Sequence, residues 1–166
     1  MTSLVNSLLL ASETAFISVI FAAPMAWAVS RTNMPGKAKV WALVLGAFIL
    51  PPYLGAIGWI LLAGPNAGFI NLAWRTLTGA GEPLLNVYSF HGLAFVMAFQ
   101  SFPLIFIFVK AALDFVSSEL EDAANILGAG TWTTMWHVTL PMAWPCILGG
   151  AIIVFLETSP CSARRH

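Results

Sequence analysis

The side chains most able to do chemistry are few in this chain and lie far apart in its sequence. Its 166 residues include only two cysteines and three histidines. Two cysteines are too few for a disulfide framework, and no histidine has a carboxylate or cysteine at the spacing of metal ligands. An enzyme would need a clustered set of His, Glu and Asp, and the sequence has none. The pattern therefore predicts neither catalysis nor a metal site at His91, His137 or His166.

Three polar residues interrupt long apolar segments and are the next candidates. Glu13 is the only carboxylate within the first three of these segments, and Gln100 and Ser101 lie midway along the third. A carboxylate inside a bilayer is a functional candidate by default, but Glu13 is close enough to one end to be a structural residue at the interface. Gln100 and Ser101 are better placed to line a pathway, although nearby Gly92 and Pro103 are equally explained by helix packing and a kink.

The composition indicates which elements must position these residues. Hydrophobic residues make up 59% of the chain and charged residues only 8%, with a mean hydropathy of +0.86. Soluble domains average about 25% charged residues, so this chain has too little polar surface for a water-soluble globule. Seven basic residues balance seven acidic ones, which leaves no basic surface for a nucleic acid. The chain is predicted to be an integral membrane protein surrounded by lipid.

The apolar segments predict an all-α integral membrane fold with three full transmembrane helices and a short fourth. The full spans cover residues 8–29, 40–62 and 90–109, each long enough for a hydrocarbon core of about 30 Å. The last segment, 140–156, is shorter than the roughly 20 residues of a full span. Pro51 and Pro52 break the second span near its middle and free backbone carbonyls that must find partners. A kink is expected there, and the two prolines are candidate gating residues.

The distribution of Lys and Arg predicts the direction of each span. Residues 31–39 contain three basic side chains, whereas residues 63–88 contain only Arg75. The positive-inside rule places 31–39 in the cytoplasm. Residues 63–88 then lie outside, and residues 110–139 return to the cytoplasm.

Residues 110–139 are polar with a helical pattern and predict a cytoplasmic helix–turn–helix between the third and fourth spans. Ser118 and Glu121 have the spacing of a capping box, and Gly128 and Gly130 supply stop signals before a second short helix over 131–137. A narrow apolar stripe on the first helix is formed by Leu120, Ala123, Ala124 and Leu127. Such a loop either docks on a partner or lies on lipid headgroups. Its four acidic residues and single lysine disfavour an anionic lipid surface.

The same loop resembles a known family signature. The run Asp122-Ala-Ala, three residues, Gly128, nine residues, Val138-Thr-Leu-Pro141 is similar to the cytoplasmic signature of permease subunits of binding-protein-dependent, type I ABC importers. That signature reads Glu-Ala-Ala, three residues, Gly, nine residues, Ile-x-Leu-Pro. The spacing matches throughout, with Asp122 in place of Glu and Val138 in place of Ile. The resemblance covers residues 3–157, so 1–166 is interpreted as a single, partial permease domain.

The resemblance implies a multi-pass protein of the bacterial inner membrane whose loop couples it to a separate cytoplasmic ATP-binding subunit. That subunit would bind ATP and Mg²⁺, and no cofactor is expected in this chain, which lacks a G-x-x-x-x-G-K-[ST] loop. The implied further partners are a second permease half, separate or fused, and an external solute-binding protein. Gly128 is expected to take a positive φ at the turn. The coupling residues implied are Glu121, Asp122, Ala123, Ala124, Gly128, Val138, Leu140 and Pro141.

The transported solute and the transport competence stay open at this point. The Pro51-Pro52 pair and the Phe-Leu-Glu run ending at Glu157 most resemble ferric-iron permeases, which predicts iron(III), while polyamine, thiamine and other small-solute relatives are alternatives. Residues 157–166 form an atypical tail where the family has an apolar continuation. That tail favours the alternative of a truncated fragment, or an assembly subunit, without transport activity.

Overall fold

The computed structural model describes residues 2–115, 124, 126 and 128–159 of the chain. Within these residues all regular elements are helical, and the predicted all-α membrane fold is confirmed. Three helical runs are long and apolar enough to cross a membrane, namely Leu4–Arg31, Phe90–Phe115 and Trp132–Thr158. The elements are α1 (Thr2–Arg31), α2 (Lys37–Ile49), α3 (Pro52–Ala63), α4 (Phe69–Thr78), α5 (Phe90–Phe115), α6 (Thr131–Thr134), a π-helical turn (Met135–Thr139) and α7 (Leu140–Thr158).

Helices α1 and α5 pack side by side and run in the same direction. Glu13 contacts His91, the Ser18 hydroxyl donates to the Ala98 carbonyl at 3.1 Å, and Arg31 donates to the Leu113 carbonyl at 2.7 Å. The sequence separations of these pairs are 78, 80 and 82, and a nearly constant separation means parallel helices. We call the two ends of the bundle the His91 end and the Arg31 end. Residues 31–39 therefore share one end with the C-terminus of α5.

The close approach of α1 to α5 depends on small side chains. Residues spaced by three or four positions along α1 are buried, and each presents little more than a methyl or hydroxyl group to α5. Small residues at such spacing let helix backbones approach closely in a membrane, where packing and hydrogen bonds drive association. The buried small residues of α1 are Ala11, Ala15, Ser18, Ala22 and Ala26.

Helix α7 runs antiparallel to α5 and closes the core of the bundle. Gly150 lies against Ile105, whose Cγ1 would be 3.5 Å from a Cβ at position 150, and the Arg31-end half of α7 packs near Leu113. The buried core at this contact consists of Ile105, Phe106, Val109, Leu113, Ala143, Ile147 and Val154.

The second predicted span is not one kinked helix but two helices. Helices α2 and α3 meet at 105°. A proline disfavours helical ψ in the residue before it, and two consecutive prolines act on two consecutive residues. Leu50 accordingly has ψ 133° and Pro51 has ψ 134°. The break that Pro51 and Pro52 predict within 40–62 is therefore confirmed, and it is sharper than a kink because two extended residues end one helix before Pro52 starts the next.

The pair α2 and α3 nonetheless passes from one end of α5 to the other. Trp41 of α2 lies under the Lys110 ammonium group, 5.1 Å from its ring centroid. Gly55 of α3 lies beside Gln100, and Trp59 contacts Phe95 with ring centroids 5.3 Å apart. Along α2 and then α3, the contacts with α5 therefore shift steadily toward the His91 end, as expected for one broken span.

The predicted short fourth span is also corrected. The π-helical turn, closed by a hydrogen bond from the Leu140 N–H to the Met135 carbonyl, joins α6 to α7 without a loop. The helical run from Trp132 to Thr158 is 27 residues long. The boundary predicted between 131–137 and 140–156 is absent, because the helix continues through Pro141 by way of the π-helical turn directly before it. Helix α5 likewise continues past residue 109 to Phe115.

The parallel packing of α1 and α5 predicts the outcome of a labelling experiment. In a background with Cys146→Ala and Cys161→Ala, single cysteines at the exposed positions Asn33, Phe115 and Gly81 would be treated with a membrane-impermeant thiol reagent. We expect Asn33→Cys and Phe115→Cys to react from the same side, and Gly81→Cys from the other. Reaction of Asn33→Cys and Phe115→Cys from opposite sides would contradict the parallel arrangement.

Candidate functional site

The break between α2 and α3, taken here as Leu50 and Pro51 together with the first two residues of α3, lies near the middle of the bundle and is exposed. All four of its side chains, from Leu50 to Tyr53, are exposed. Within the described part of the chain, the only non-helical backbone hydrogen bond here runs from the Leu54 N–H to the Pro51 carbonyl, at 3.0 Å. Irregular backbone at membrane depth is tolerated only where it is covered by protein or lines a water-filled cavity. By this rule we expect the break not to face lipid.

Gln100 lies directly beside the break. Its carboxamide occupies the space left by Gly55, where an added Cβ would be 2.7 Å from the Gln100 Oε1. Among the described residues, no hydrogen bond reaches the Gln100 carboxamide, which is half-buried. The structure thus brings Gln100 within one helical turn of Pro52, so that two donors and an acceptor lie next to the broken backbone. Ser101, the other polar candidate, is half-buried at the next position.

An aromatic cluster holds α3 against α5 on the His91 side of the break. Trp59 packs edge-on against Phe95 and Phe99, with ring centroids 5.3 and 5.2 Å apart. Phe21 of α1 contacts Phe99 at 5.3 Å. Edge-to-face aromatic pairs are worth about 0.5–1.5 kcal/mol beyond the area they bury. The cluster therefore fixes the position of α3, which the break at Leu50 and Pro51 separates from α2.

At the His91 end, Asn71 holds the segment 64–89 together. Its side chain is fully buried. The Asn71 amide donates to the carbonyls of Gly64 at 2.9 Å and Leu85 at 2.7 Å, and its Oδ1 accepts from the Leu85 N–H at 2.9 Å. One side chain therefore connects the end of α3, helix α4 and the approach to α5.

His91 and Glu13 form a contact that the sequence spacing does not indicate. The Nδ1 of His91 lies 2.6 Å from the Oε1 of Glu13, and the two side chains are 82% and 26% exposed. The sequence places no carboxylate at ligand spacing from His91, and this contact arises only because parallel helices align two residues that are 78 positions apart. In the described ranges no third His, Cys, Asp or Glu joins them as a possible metal ligand. His91 also lines a cavity of about 490 Å³ with Asn86 and Ser89.

At the Arg31 end, the chain turns sharply at Gly128. Its φ is +87°, which confirms the expected positive φ. The Ala129 N–H donates to the Ala124 carbonyl at 3.0 Å, a five-residue span that corresponds to the outer bond of a Schellman motif with glycine at C′. Ala124 is half-buried. Glu121, Asp122 and Ala123 lie outside the described residues.

The remaining residues of the signature lie where the last helix begins. Val138 is half-buried in the π-helical turn, Leu140 is half-buried at the first position of α7, and Pro141 is exposed. The second helix of the predicted helix–turn–helix is therefore the start of the last span rather than a separate element. An apolar groove of about 540 Å³ lies between this segment and α1, and its aromatic lining residues are Trp27, Trp132 and Trp136.

A family model described as "Binding-protein-dependent transport system inner membrane component" matches residues 5–158. The chain belongs to this family. Its membership confirms the resemblance seen in the signature at the level of the family, and it agrees with a multi-pass arrangement in the inner membrane.

The chain is similar to permeases of molybdenum and molybdate/tungstate transport systems. The chain is 32% identical over 161 residues to the molybdenum transport system permease protein ModB of Escherichia coli K12. The match covers 92% of this chain and 66% of that protein. It is 30% identical over 150 residues to the molybdate/tungstate transport system permease protein WtpB of Thermococcus kodakarensis, covering 90% and 53%. The chain thus spans less than two thirds of the length of either relative. These relatives do not support the ferric-type subclass expected from Pro51-Pro52.

A solved structure shares the fold. The crystal structure of a bacterial ABC transporter involved in the import of the acidic polysaccharide alginate matches with a TM-score of 0.67, covering 93% of this chain and 57% of that chain. The sequence identity is only 17%, so this match shows the fold alone.

Two features of the site were missed by sequence reasoning. Asn71 and the pair of Glu13 with His91 are tertiary contacts, and no local pattern marks them. The signal available for Asn71 is its position one helical turn before Arg75, on the same face of α4. For the pair, the signal is a titratable residue near the first turn of each of two spans that enter from one side.

The bonding of Asn71 leads to a prediction about the segment 64–89. In Asn71→Leu, both backbone groups of Leu85 lose the Asn71 side chain as their partner, whereas the Gly64 carbonyl keeps its bond from the Gly68 N–H. Each lost hydrogen bond is worth about 0.5–1.5 kcal/mol. We expect hydrogen exchange at the Leu85 amide, measured by mass spectrometry in detergent, to accelerate at least about tenfold. Asn86→Ala is the control, because that exposed side chain accepts one bond, from Tyr88. Equal exchange in wild type and Asn71→Leu would show that Asn71 does not hold the segment.

Proposed function

We propose that this chain is the membrane-spanning permease component of an ATP-driven importer for a tetrahedral oxyanion of the molybdate and tungstate kind. The observation that carries the proposal is the 30–32% identity to permeases of molybdenum and molybdate/tungstate systems over at least 90% of this chain. Family membership over residues 5–158 supports the more general part, a permease that receives its solute from a binding protein.

The chemistry at the break supports an anion rather than a metal cation. No Asp, Glu, Lys or Arg occurs in residues 40–62 or 90–109, so neither segment supplies a carboxylate beside Gln100 to bind a cation such as iron(III) or to repel an anion. The Gln100 carboxamide offers two N–H donors without a fixed charge. Neutral donors replace part of the hydration of an oxyanion without holding it so firmly that it cannot leave. The exposed backbone at residues 50–53 lies in the same path.

The Gly128 turn is the proposed coupling element to a separate cytoplasmic ATP-binding subunit. ATP and Mg²⁺ bind in that subunit, and this chain carries no nucleotide chemistry. A second permease half covers the face of this chain that carries the break, and a solute-binding protein delivers the oxyanion at the His91 end. Rigid-body movement of the turn with α7 then alternates access between the two ends.

An uptake experiment tests the solute. Cells without their own molybdate permease would express the chain with the ATP-binding and solute-binding subunits of its system. We expect uptake of labelled molybdate that excess tungstate suppresses and ferric citrate does not. Gly55→Ala should reduce uptake several-fold, since its Cβ displaces Gln100, whereas Gly58→Ala should not, since nothing lies within 4 Å of a Cβ there. Uptake of labelled iron but not molybdate would overturn the proposed solute, and no uptake of either would favour a non-transporting subunit.

The Gly128 turn provides a separate prediction about coupling. A valine at a left-handed position costs about 1–2 kcal/mol, and that strain would misplace the start of the last helix. We expect Gly128→Val to reach the membrane normally, because no apolar span is altered, while co-purification with the ATP-binding subunit falls sharply.

Two variants serve as controls for Gly128→Val. Gly128→Asn should retain most of the association, since asparagine tolerates the left-handed region. Gly130→Ala should be mild, since Gly130 has no positive φ and open space around it. Full association and full ATPase stimulation in Gly128→Val would show that this turn is not the coupling element.

A further inference from the structure

Helix α4 is amphipathic, but its apolar side chains are exposed while two of its polar side chains face the rest of the chain. Its apolar side chains Phe69, Leu72 and Leu77 are 66%, 51% and 85% exposed. These positions, at i, i+3 and i+8, share one face of the helix. The polar side chains of Asn71 and Arg75 lie four residues apart on the opposite face, which is turned toward the rest of the segment 64–89.

The polar face of α4 is occupied by backbone carbonyls of its own segment. Besides the bonds of Asn71 to Gly64 and Leu85, the Arg75 guanidinium donates to the carbonyls of Pro65 at 2.9 Å and Asn66 at 3.3 Å. The helix is therefore held with its only charged side chain pointing inward. A rotation that hid the apolar face would break the bonds of both polar residues.

We propose that α4 lies in the lipid interface at the His91 end of the bundle, with Phe69, Leu72 and Leu77 inserted among the acyl chains. An apolar face exposed to this extent is unfavourable in water, because removing apolar area from water is the main favourable contribution to burial. Helix α3, which precedes α4 in the chain, also exposes apolar side chains at its end, since Leu61 and Leu62 are 56% and 44% exposed. A water-soluble partner would be expected to meet a polar rim, whereas the apolar face of α4 offers no charged group.

The inward position of Arg75 also defines the kind of lipid. Interfacial helices that depend on anionic lipid present Lys or Arg toward the headgroups, and α4 presents neither. Its insertion depends on apolar burial and is indifferent to headgroup charge. This inference depends on the membrane location of the chain and not on which solute it carries.

Spin labelling of the full chain in vesicles tests the proposal. Single cysteines at Leu77, Phe69 and Glu82, in the background with Cys146→Ala and Cys161→Ala, would carry a nitroxide label. The vesicles would contain phosphatidylcholine alone or with phosphatidylglycerol. At Leu77 and Phe69 we expect collision with oxygen to exceed collision with a water-soluble nickel chelate several-fold, equally in both lipid mixtures. Glu82, in the exposed segment after α4, is the matched control and should show the reverse ratio.

The measurement separates the alternative occupants of this face. Low accessibility to both reagents at Leu77 and Phe69 would mean that protein covers the face, which overturns the proposal. High accessibility to the nickel chelate would mean that the face lies in water, which also overturns it. An increase in insertion that requires phosphatidylglycerol would contradict the predicted indifference to charge. Uptake of molybdate is measured independently, so either result leaves the proposed solute unaffected.

Discussion

The structure depends on the parallel contact between α1 and α5. Two helices can run in the same direction as direct neighbours only if another span returns the chain between them, and the broken pair α2 and α3 fulfils that role. The small residues of α1 allow this contact to be close, and the bond from Ser18 to the Ala98 carbonyl places a polar group inside it. Because the contact runs from Glu13 to Arg31, it aligns both ends of the bundle and also fixes which residues face α7.

The two prolines place irregular backbone at mid-bundle depth, where unpaired N–H and C=O groups are most costly in a membrane protein. Each proline removes a donor and extends the residue before it, so α2 ends with unpaired carbonyls at mid-bundle depth. The aromatic cluster around Trp59 and Phe99 compensates by fixing α3 through side-chain packing. Stability at the break is thus supplied by α5 and α1 rather than by helix continuity, which leaves residues 50–53 available to a pathway.

The sequence predicts this fold best where a property belongs to one segment alone. Residues 8–29 and 90–109 are spans because their own hydropathy decides it, and the positive φ of Gly128 follows from local turn chemistry. Pro141 and Pro145 resemble boundary signals, yet the last helix runs through them, because packing against Ile105 and Leu113 outweighs the local preference. The pairing of Glu13 with His91 and the bonding of Asn71 are absent from any local pattern, since tertiary packing creates them.

The continuous helical run from Trp132 to Thr158 has a mechanical consequence. At 1.5 Å per residue it forms a rod of about 40 Å, with the Gly128 turn at one tip and the opposite membrane face at the other. No loop interrupts the run itself, so a displacement at the tip near Gly128 would be carried along the helix past the contact of Gly150 with Ile105. The π-helical turn at Met135–Thr139 is the one place along this run where the helix contains an extra residue per turn. A twist applied at the tip near Gly128 would be taken up there without unravelling the helix.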